Sequence, residues 1–432
     1  MTLKVPFGKG ELTFEAPAGW EVDVAEPEPA APVSDLRAAV EAALRAPVNS
    51  PPLAELARGA RRVCVVVTDL TRACPDRELL PGIVRQLQSA GVRDDQVILL
   101  VALGLHRPMT RSELAEKLGA EAVERFTVIQ HEAQNPDQLV DLGETSNGVP
   151  AIVNRYAFES DLLIATGLVE PHQYAGFSGG FKTLAIGAGG EPTITVTHGP
   201  TYVEHPGVRL GKVDGNPFQV AVSEAGTRAG LRFIVNVIPG RDGRPVAVAA
   251  GEPRETFGRL VEEARRVFTV WVPRVYDVAI AGVGYPKDTN LYQASRAASY
   301  LVFGPKPVVR PGGFVIVPAG LDEGPGQGPG EQRFFRTMRD APDVGAIIEE
   351  ARTKGYKAGE QRAFVMAKVL EHCRVVVVGS RYPEVVRQAK MIPAETMAEA
   401  FDLVRAELGD RLSVLVVPHA LLTVPVAADA GG

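Results

Sequence analysis

Short runs of apolar, β-branched residues recur along the chain and alternate with segments of helical periodicity. In the first half these runs lie at 63–69, 96–104 and 161–167, with a helical pattern at 77–91. Runs with so few polar interruptions are typical of parallel strands that are buried on both faces. The alternation of strand and helix therefore predicts a doubly wound α/β domain.

The second half repeats this pattern and predicts a second α/β domain. The predicted strands lie at 276–284, 312–320, 373–380 and 413–419, and the predicted helices near 291–302, 343–353, 360–371 and 394–407. A chain of 432 residues is also long for a single hydrophobic core. We expect two Rossmann-like α/β domains with mostly parallel sheets, over 1–270 and 271–432, and an active-site cleft between them.

Composition and charge narrow the function classes. A net charge of −6 without a dense basic patch argues against a nucleic-acid partner. The three cysteines are odd in number and unpatterned, so they predict neither a disulfide framework nor a cysteine-rich zinc site. The first 20 residues contain no apolar core of signal-peptide length, and no uncharged apolar run is long enough to span a membrane. We therefore expect a cytoplasmic protein with no membrane partner.

Candidate chemistry lies where the predicted strands end, because ligands of open α/β sheets bind beyond the carboxyl ends of the strands. Asp69, Thr71 and Arg72 follow the first run, and an arginine beside a helix start favours an anionic group. A helix N-cap beside a solvated arginine explains the same residues. His106 and His172 follow the next two runs. Two histidines facing one ligand could serve as acid and base on its opposite faces, which inversion of a stereocentre requires.

A glycine-rich segment at 176–182 contains Ser178 and Gly179 and ends in Lys182. Its backbone could approach a ligand closely, and Lys182 adds a cation or an amine nucleophile. Neither the P-loop spacing nor the GxGxxG dinucleotide fingerprint is present, and ordinary turns explain the glycines equally well. His198 could be a metal ligand, although its spacing from the other histidines is not that of the common zinc motifs.

In the second half, the segment at 292–296 contains Tyr292, Gln293 and Arg296. Gln293 and Arg296 are three residues apart and would share one face of a helix, from which they could reach into a cleft. A solvent-exposed helix face is the alternative. The Gly- and Pro-rich loop at 320–332 is interpreted as a surface linker or a mobile lid.

Taken together, these motifs resemble the nickel-dependent lactate racemase family in their order and spacing. The resemblance rests on DLTR (69–72), GLHRPMT (104–110), EPHQYAGFSGGFK (170–182), THGP (197–200) and YQASR (292–296). It implies a nickel-pincer nucleotide, which is a pyridinium mononucleotide whose two sulfur-containing arms hold nickel through sulfur, carbon and sulfur. One protein histidine completes this tetragonal set, which suits nickel.

The resemblance also implies a role for each matching residue. Lys182 matches the lysine that tethers the nucleotide through a thioamide, and His198 matches the nickel ligand. His106 and His172 match the paired catalytic bases, assisted by Arg72 and, from the second domain, by Gln293 and Arg296. Cofactor binding is assigned to Lys182, Asp69, Thr71, Ser178, Gly179 and Tyr292.

The implied reaction is racemisation or epimerisation of a 2-hydroxy acid at C2. One histidine removes the hydroxyl proton while hydride leaves C2 for the cofactor, and the transient 2-keto acid takes hydride back on its other face. Arg296 stands where the lactate enzymes typically have lysine, and its larger, planar, bidentate guanidinium indicates a difference in substrate size or orientation, for which a substrate bulkier than lactate is one explanation. The expected partners are this small-molecule substrate and the proteins that synthesise the cofactor.

Two other function classes remain open at this point. One is a non-catalytic nucleotide- or nickel-binding protein, and the other is a zinc-dependent hydrolase or lyase. The presence of both His106 and His172 favours the enzyme, since a binding protein has no need of opposed bases. The zinc alternative predicts stoichiometric zinc and no sulfur-bearing nucleotide.

Overall fold

A computed structural model describes residues 1–357 and 360–428. The chain divides into two compact units. The first unit comprises Pro29–His198 and Val213–Val267, and the second comprises Met1–Glu28, Gly199–Lys212 and the chain from Phe268 onward. Three parts of the predicted 1–270 domain thus group with the second unit, namely residues 1–28, 199–212 and 268–270.

Strands and helices alternate through most of the chain and are numbered in chain order. The strands are β1 (Thr2–Phe7), β2 (Gly10–Glu15), β3 (Glu21–Val24), β4 (Val63–Thr68), β5 (Val97–Ala102), β6 (Thr127–Gln130), β7 (Leu139–Glu144), β8 (Pro150–Asn154), β9 (Leu162–Leu168), β10 (Pro171–His172), β11 (Gly176–Phe177), β12 (Leu231–Pro239), β13 (Pro245–Gly251), β14 (Thr269–Val272), β15 (Tyr276–Ala281), β16 (Val309–Pro318), β17 (Arg374–Val378), β18 (Ile392–Ala394), β19 (Ser413–Val417) and β20 (Val424–Ala427). The helices are α1 (Leu36–Arg45), α2 (Leu53–Leu56), α3 (Asp76–Ser89), α4 (Arg111–Leu118), α5 (Ala120–Arg125), α6 (Arg155–Phe158), α7 (Lys182–Ala185), α8 (Glu191–Thr197), α9 (Pro200–Glu204), α10 (Pro217–Arg228), α11 (Pro253–Phe268), α12 (Leu291–Ala294), α13 (Arg296–Val302), α14 (Pro329–Asp340), α15 (Val344–Lys354), α16 (Gln361–His372), α17 (Pro383–Gln388) and α18 (Met397–Leu408).

The first unit is built on a sheet with the order β13-β12-β9-β4-β5-β6, in which every neighbouring pair except β12 and β13 is parallel. Val65 and Val67 of β4 pack against Leu79 and Ile83 of α3 in one hydrophobic core. Every side chain of β4 is buried, on both faces of the sheet, which explains its uninterrupted apolar sequence.

The second unit has a parallel sheet with the order β18-β17-β16-β15-β19-β3. Its last strand, β3, comes from the start of the chain and pairs with β19. The 199–212 segment is attached to the same unit by a hydrogen bond from the Leu210 N–H to the Phe303 carbonyl, 3.0 Å long. Neither β3 nor this segment has a long apolar run, so the sequence pattern gave no reason to expect them here.

The predicted α/β fold with mostly parallel sheets is confirmed. Each predicted strand and helix corresponds to a strand or helix at that position, except that the helix near 291–302 is divided into α12 and α13 at Ser295. The loop predicted over 320–332 is shorter, because α14 already begins at Pro329. In the described part of the chain, no helix combines the length and the apolar character that crossing a bilayer requires.

Candidate active site

The predicted site residues of the first unit come from the carboxyl ends of three adjacent strands. Asp69 directly follows β4, His106 lies in the loop after β5, and His172 lies in the β10-β11 hairpin after β9. Because β4 lies between β5 and β9 and all three are parallel, their loops leave the same edge of the sheet.

Asp69 and His106 form a carboxylate–imidazole pair. The His106 Nδ1 lies 2.6 Å from Asp69 Oδ2, and Asp69 Oδ1 accepts hydrogen bonds from the Thr71 hydroxyl (2.7 Å) and N–H (3.2 Å). Burial alone would raise the pKa of Asp69, but the bond and charge of His106, together with Thr71 and Arg72, lower it. An ionised carboxylate only accepts hydrogen bonds, so His106 carries its proton on Nδ1 and a lone pair on Nε2.

The hydrogen bonds of His172 favour the opposite tautomer. Its Nδ1 accepts hydrogen bonds from the N–H groups of Tyr174 and Ala175, each 3.2 Å long. An imidazole nitrogen that accepts cannot carry the proton, so the neutral ring of His172 is protonated on Nε2. The structure therefore fixes complementary tautomers in the two predicted bases.

Lys182 begins α7 and is almost completely buried, with 8% of its surface exposed. Burial, followed by the positive charge of Arg72, lowers its pKa from 10.5 to about 7, against the opposing effects of Glu170 and Asp69. A substantial fraction of this amine is therefore neutral near pH 7, and the neutral amine is the nucleophilic form.

The turn before Lys182 depends on glycine. Gly179 and Gly180 have φ angles of 92° and 58°, and a Cβ on Gly179 would lie 2.8 Å from Asn236 Oδ1. Asn236 reaches this turn from β12, and its Oδ1 accepts the Gly180 N–H at 2.8 Å. Its buried Nδ2 has no hydrogen-bond partner among the described residues. Only glycine adopts this backbone without strain while allowing the close approach.

Ser178 forms hydrogen bonds within the β10-β11 hairpin and the loop that precedes it. Its hydroxyl donates to the Leu168 carbonyl at 2.8 Å, and its N–H donates to the Glu170 carbonyl at 2.9 Å. In this structure the predicted cofactor-binding serine therefore holds the loop after β9 in place.

His198 follows α8 as its C-cap residue and is half-buried. Its Nδ1 lies 2.9 Å from the Ile194 carbonyl, which fixes the proton on Nδ1 and the lone pair on Nε2. Burial and the positive charge of Lys182 lower its pKa from 6.5 to about 4, against the opposing effect of the Ile194 carbonyl. His198 is thus a neutral imidazole, the form that binds a metal.

Two aromatic rings lie against both His172 and His198. The Tyr174 ring lies 5.8 Å from that of His172 and 5.0 Å from that of His198, and the Phe218 ring lies 6.3 Å and 5.4 Å from the same two rings. Arg72 lies at the same edge of the sheet, 3.7 Å from Glu170, with 32% of its side chain exposed. Within residues 1–357 and 360–428, no three His, Cys, Asp or Glu side chains are grouped so as to hold a metal by themselves.

In the second unit, the side chains of Gln293 and Arg296 are in contact, although the two residues lie on different helices, α12 and α13, and not on one helix as predicted. Arg296 begins α13, and its guanidinium donates to Gln293 Oε1 at 3.2 Å and to the Tyr300 hydroxyl at 3.0 Å. Tyr292 packs against Phe334, with 5.6 Å between ring centroids, and beneath the guanidinium of Arg362. Both Gln293 and Arg296 are partly buried and partly exposed.

Sequence reasoning missed several residues that shape these sites. Asn236 is the single uncharged polar residue inside the apolar run of β12, and that interruption was a usable signal. Tyr174 lies inside a quoted motif but was given no role. Phe218 and Arg362 lie far along the chain from the residues they contact, and no local pattern indicates them.

Comparison with known proteins gives consistent matches along the chain. The lactate racemase N-terminal domain model matches residues 7–211, and the lactate racemase C-terminal domain model matches residues 274–424. The lactate racemase of Lactiplantibacillus plantarum is 31% identical over 88% of this chain and 89% of its own length. That of Thermoanaerobacterium thermosaccharolyticum is 27% identical over 96% of this chain and 97% of its own length.

Solved structures agree with the sequence matches. The lactate racemase apoprotein of Thermoanaerobacterium thermosaccharolyticum superposes with a TM-score of 0.87 at 25% identity, covering 99% of this chain and 100% of that one. A protein from Thermotoga maritima has the same fold, with a TM-score of 0.69 at 19% identity over 93% of this chain and 100% of its own.

Proposed function

The chain belongs to the lactate racemase family and is therefore an isomerase, and we propose that it racemises a 2-hydroxy acid with a nickel-pincer nucleotide held by Lys182 and His198. The observation that carries this proposal is the pair of complementary tautomers at His106 and His172. One histidine is ready to accept a proton on Nε2 and the other is ready to donate one.

Racemisation at C2 needs proton transfer to and from the 2-hydroxyl on opposite sides of the substrate. His106 Nε2 takes the hydroxyl proton of one enantiomer, and the ionised Asp69 carboxylate stabilises the imidazolium that forms. His172 transfers its Nε2 proton to the oxygen of the product, and its ring keeps its orientation because two backbone N–H groups hold Nδ1. Exchange with solvent then removes the proton that His106 took and returns one to His172, which restores both rings for the next turnover. The reverse direction uses the same two nitrogens with their roles exchanged.

The residues around Lys182 and His198 suit the cofactor. A single neutral imidazole is an appropriate protein ligand for a metal whose other donors come from an organic group. The Gly179–Gly180 turn offers closely approachable backbone, and the buried Asn236 Nδ2 lacks an acceptor. When bound, the nucleotide supplies the hydride acceptor and donor for C2.

Lys182 is suited to tether this nucleotide covalently. Its lowered pKa of about 7 makes the neutral amine available at physiological pH. Condensation of that amine with a thiocarboxylic acid arm would form a thioamide and release one water. An ammonium that held the nucleotide by charge alone would gain nothing from the burial that lowers the pKa of Lys182.

Substrate size is proposed from Arg296. Its guanidinium is oriented by Gln293 and Tyr300 and can bind a carboxylate through two parallel hydrogen bonds. We expect a 2-hydroxy acid larger than lactate, with the carboxylate bound by Arg72 or Arg296.

The test uses protein produced together with a cofactor-synthesis system. Intact mass, nickel content and a chiral assay over single-enantiomer 2-hydroxy acids are measured for the wild type, Lys182→Ala and Lys354→Ala. Lys354 is an exposed lysine of α15 and serves as the matched control. We expect a nucleotide adduct, less one water, in the wild type and Lys354→Ala, with nickel and loss of optical purity, and none of these in Lys182→Ala.

Other outcomes separate the alternatives. Nickel and turnover without an adduct retain the racemase and reject the covalent tether. Nickel without turnover on any acid favours a binding protein, and stoichiometric zinc without a sulfur-bearing nucleotide favours the hydrolase or lyase. Turnover fastest with lactate itself rejects the bulkier substrate.

A further inference from the structure

A buried ion pair lies beneath the loops that carry Asp69 and His106. Lys117 Nζ and Asp76 Oδ2 are 3.0 Å apart, and their side chains are only 6% and 0% exposed. Lysine and aspartate are rarely buried so completely, and apolar residues of similar volume usually give equal or greater stability at such sites. The pair therefore calls for an explanation other than stability.

The ammonium of Lys117 and both carboxylate oxygens of Asp76 have hydrogen-bond partners. The Lys117 ammonium donates to the carbonyls of Arg72 and Cys74, each at 2.7 Å, in addition to its contact with Asp76. The Asp76 carboxylate accepts the hydroxyl of Thr68, at 2.6 Å, and the hydroxyl of Thr166. Thr68 ends β4 and Thr166 lies inside β9, so the pair joins these two strands to the backbone of the segment 69–75.

Helix α4 connects the same pair to the loop of His106. Near its start, Glu113 accepts two hydrogen bonds from the guanidinium of Arg107, the residue after His106, at 2.9 and 2.6 Å. Glu113 also accepts the N–H of Thr110 at 2.7 Å, which completes a capping box. One turn further along, Lys117 holds the carbonyls of the neighbouring loop. The two loops are thus tied to one rigid helix.

We infer that Lys117 and Asp76 are positioning residues, which hold the loop of Asp69 and Arg72 at a fixed distance from the loop of His106. The distance between the two loops affects the chemistry because it determines the contact between Asp69 and His106 Nδ1, which is 2.6 Å long and sets the tautomer of His106. This inference rests on the proposed function for its effect on turnover, but its effect on the His106 tautomer is independent of turnover.

The test compares Lys117→Met with Leu114→Ala. Methionine keeps the unbranched length of the side chain and removes the charge and the three donors. Leu114 lies one turn earlier on α4 with its side chain in the hydrophobic core, so Leu114→Ala destabilises the same helix without touching the pair. Long-range ¹H–¹⁵N NMR on apoprotein with ¹⁵N-labelled histidine reports the His106 tautomer, and the racemase assay on cofactor-loaded protein reports kcat.

We expect Lys117→Met to lose the Nδ1–H signature of His106 and to lower kcat about 100-fold, the cost of misplacing a reacting group by about 1 Å. Leu114→Ala should keep both the signature and a near-normal kcat. A wild-type tautomer and kcat in Lys117→Met would overturn the inference, and so would equal losses in both variants, because these would indicate general destabilisation.

A milder variant covers the case in which Lys117→Met does not fold. Thr68→Val removes one donor to Asp76 and keeps the ion pair, so it should shift the His106 tautomer partly and lower kcat about tenfold. An unchanged tautomer in Thr68→Val would contradict the inference. An inactive wild type would reject the proposed function. The tautomer comparison in apoprotein would still decide whether Lys117 and Asp76 position the two loops.

Discussion

Two histidines of the first unit, His106 and His198, have opposite electrostatic surroundings. His106 is half exposed, with 52% of its side chain accessible, and a buried carboxylate lies 2.6 Å from its ring. His198 is half-buried, bonded to a neutral carbonyl, and lies within the electrostatic influence of Lys182 and Arg72. A nearby anion stabilises the imidazolium that a proton-transfer group must form, whereas burial, with nearby positive charge as a smaller cause, keeps the ring of His198 neutral as a metal ligand requires. The neighbours of each ring thus suit it to the function that we propose for it.

The largest expected effect comes from removing the ring of His198. We expect His198→Gln to lose nickel and to reduce kcat at least about 10,000-fold, equivalent to about 5.5 kcal/mol of barrier, since the reaction that we propose requires the bound metal. His106→Gln should keep full nickel and lose activity about 100- to 10,000-fold. Metal analysis and steady-state assays of both variants distinguish the two sites. A full nickel content in His198→Gln would show that His198 is not the metal ligand and that the contrast drawn between His106 and His198 is wrong.

The buried amine of Lys182 predicts a second effect, on stability. Below pH 7 it is protonated in the folded and unfolded states, and the full cost of burying its charge is present. Between pH 7 and 10.5 the folded state has released its proton while the unfolded chain retains it, so the cost disappears as pH rises. Lys182→Met should therefore stabilise the apoprotein by about 3 to 5 kcal/mol below pH 7, falling towards zero near pH 10.5.

Urea unfolding of apoprotein between pH 6 and pH 10 measures this effect. Lys354→Met removes an exposed lysine of α15 and should change stability by less than about 0.5 kcal/mol, with no dependence on pH over this range. A stabilisation in Lys182→Met that does not vary with pH would mean that improved apolar packing, and not a buried charge, is responsible.

Local sequence patterns predicted the features that depend on local physics. The apolar runs predicted β4, β5 and β9, because strands buried on both faces must be apolar. Thr110 caps α4, and the residues of this capping box lie within four positions of one another, so the sequence around it contains the signal. The polar residues after these strands were chosen as candidates because ligands of open α/β sheets bind beyond the carboxyl ends of the strands, and the three strands do end at one edge of the sheet.

Contacts between distant residues could not be predicted in this way. Lys117 and Asp76 are 41 positions apart, and each has an ordinary place in an amphipathic helix. β3 is a four-residue strand with the sequence EVDV, and only its pairing with β19 identifies it. The tautomers of His106 and His172 depend on Asp69 and on two backbone N–H groups, which no spacing in the sequence discloses.

The smallest of the three expected effects comes from removing the negative charge of Asp69, the anion beside His106. In Asp69→Asn the side chain keeps its size, but its amide can donate to His106 Nδ1, which favours the tautomer with the proton on Nε2. The histidine then lacks the lone pair with which it accepts the hydroxyl proton, and we expect kcat to fall about 100-fold with nickel content unchanged. Thr71→Val is the control, because it removes one hydrogen bond to the carboxylate and keeps the charge, so it should cost less than about tenfold. If Asp69→Asn turned over as fast as Thr71→Val, the carboxylate would only orient the loop, and the electrostatic difference between His106 and His198 would not explain their functions.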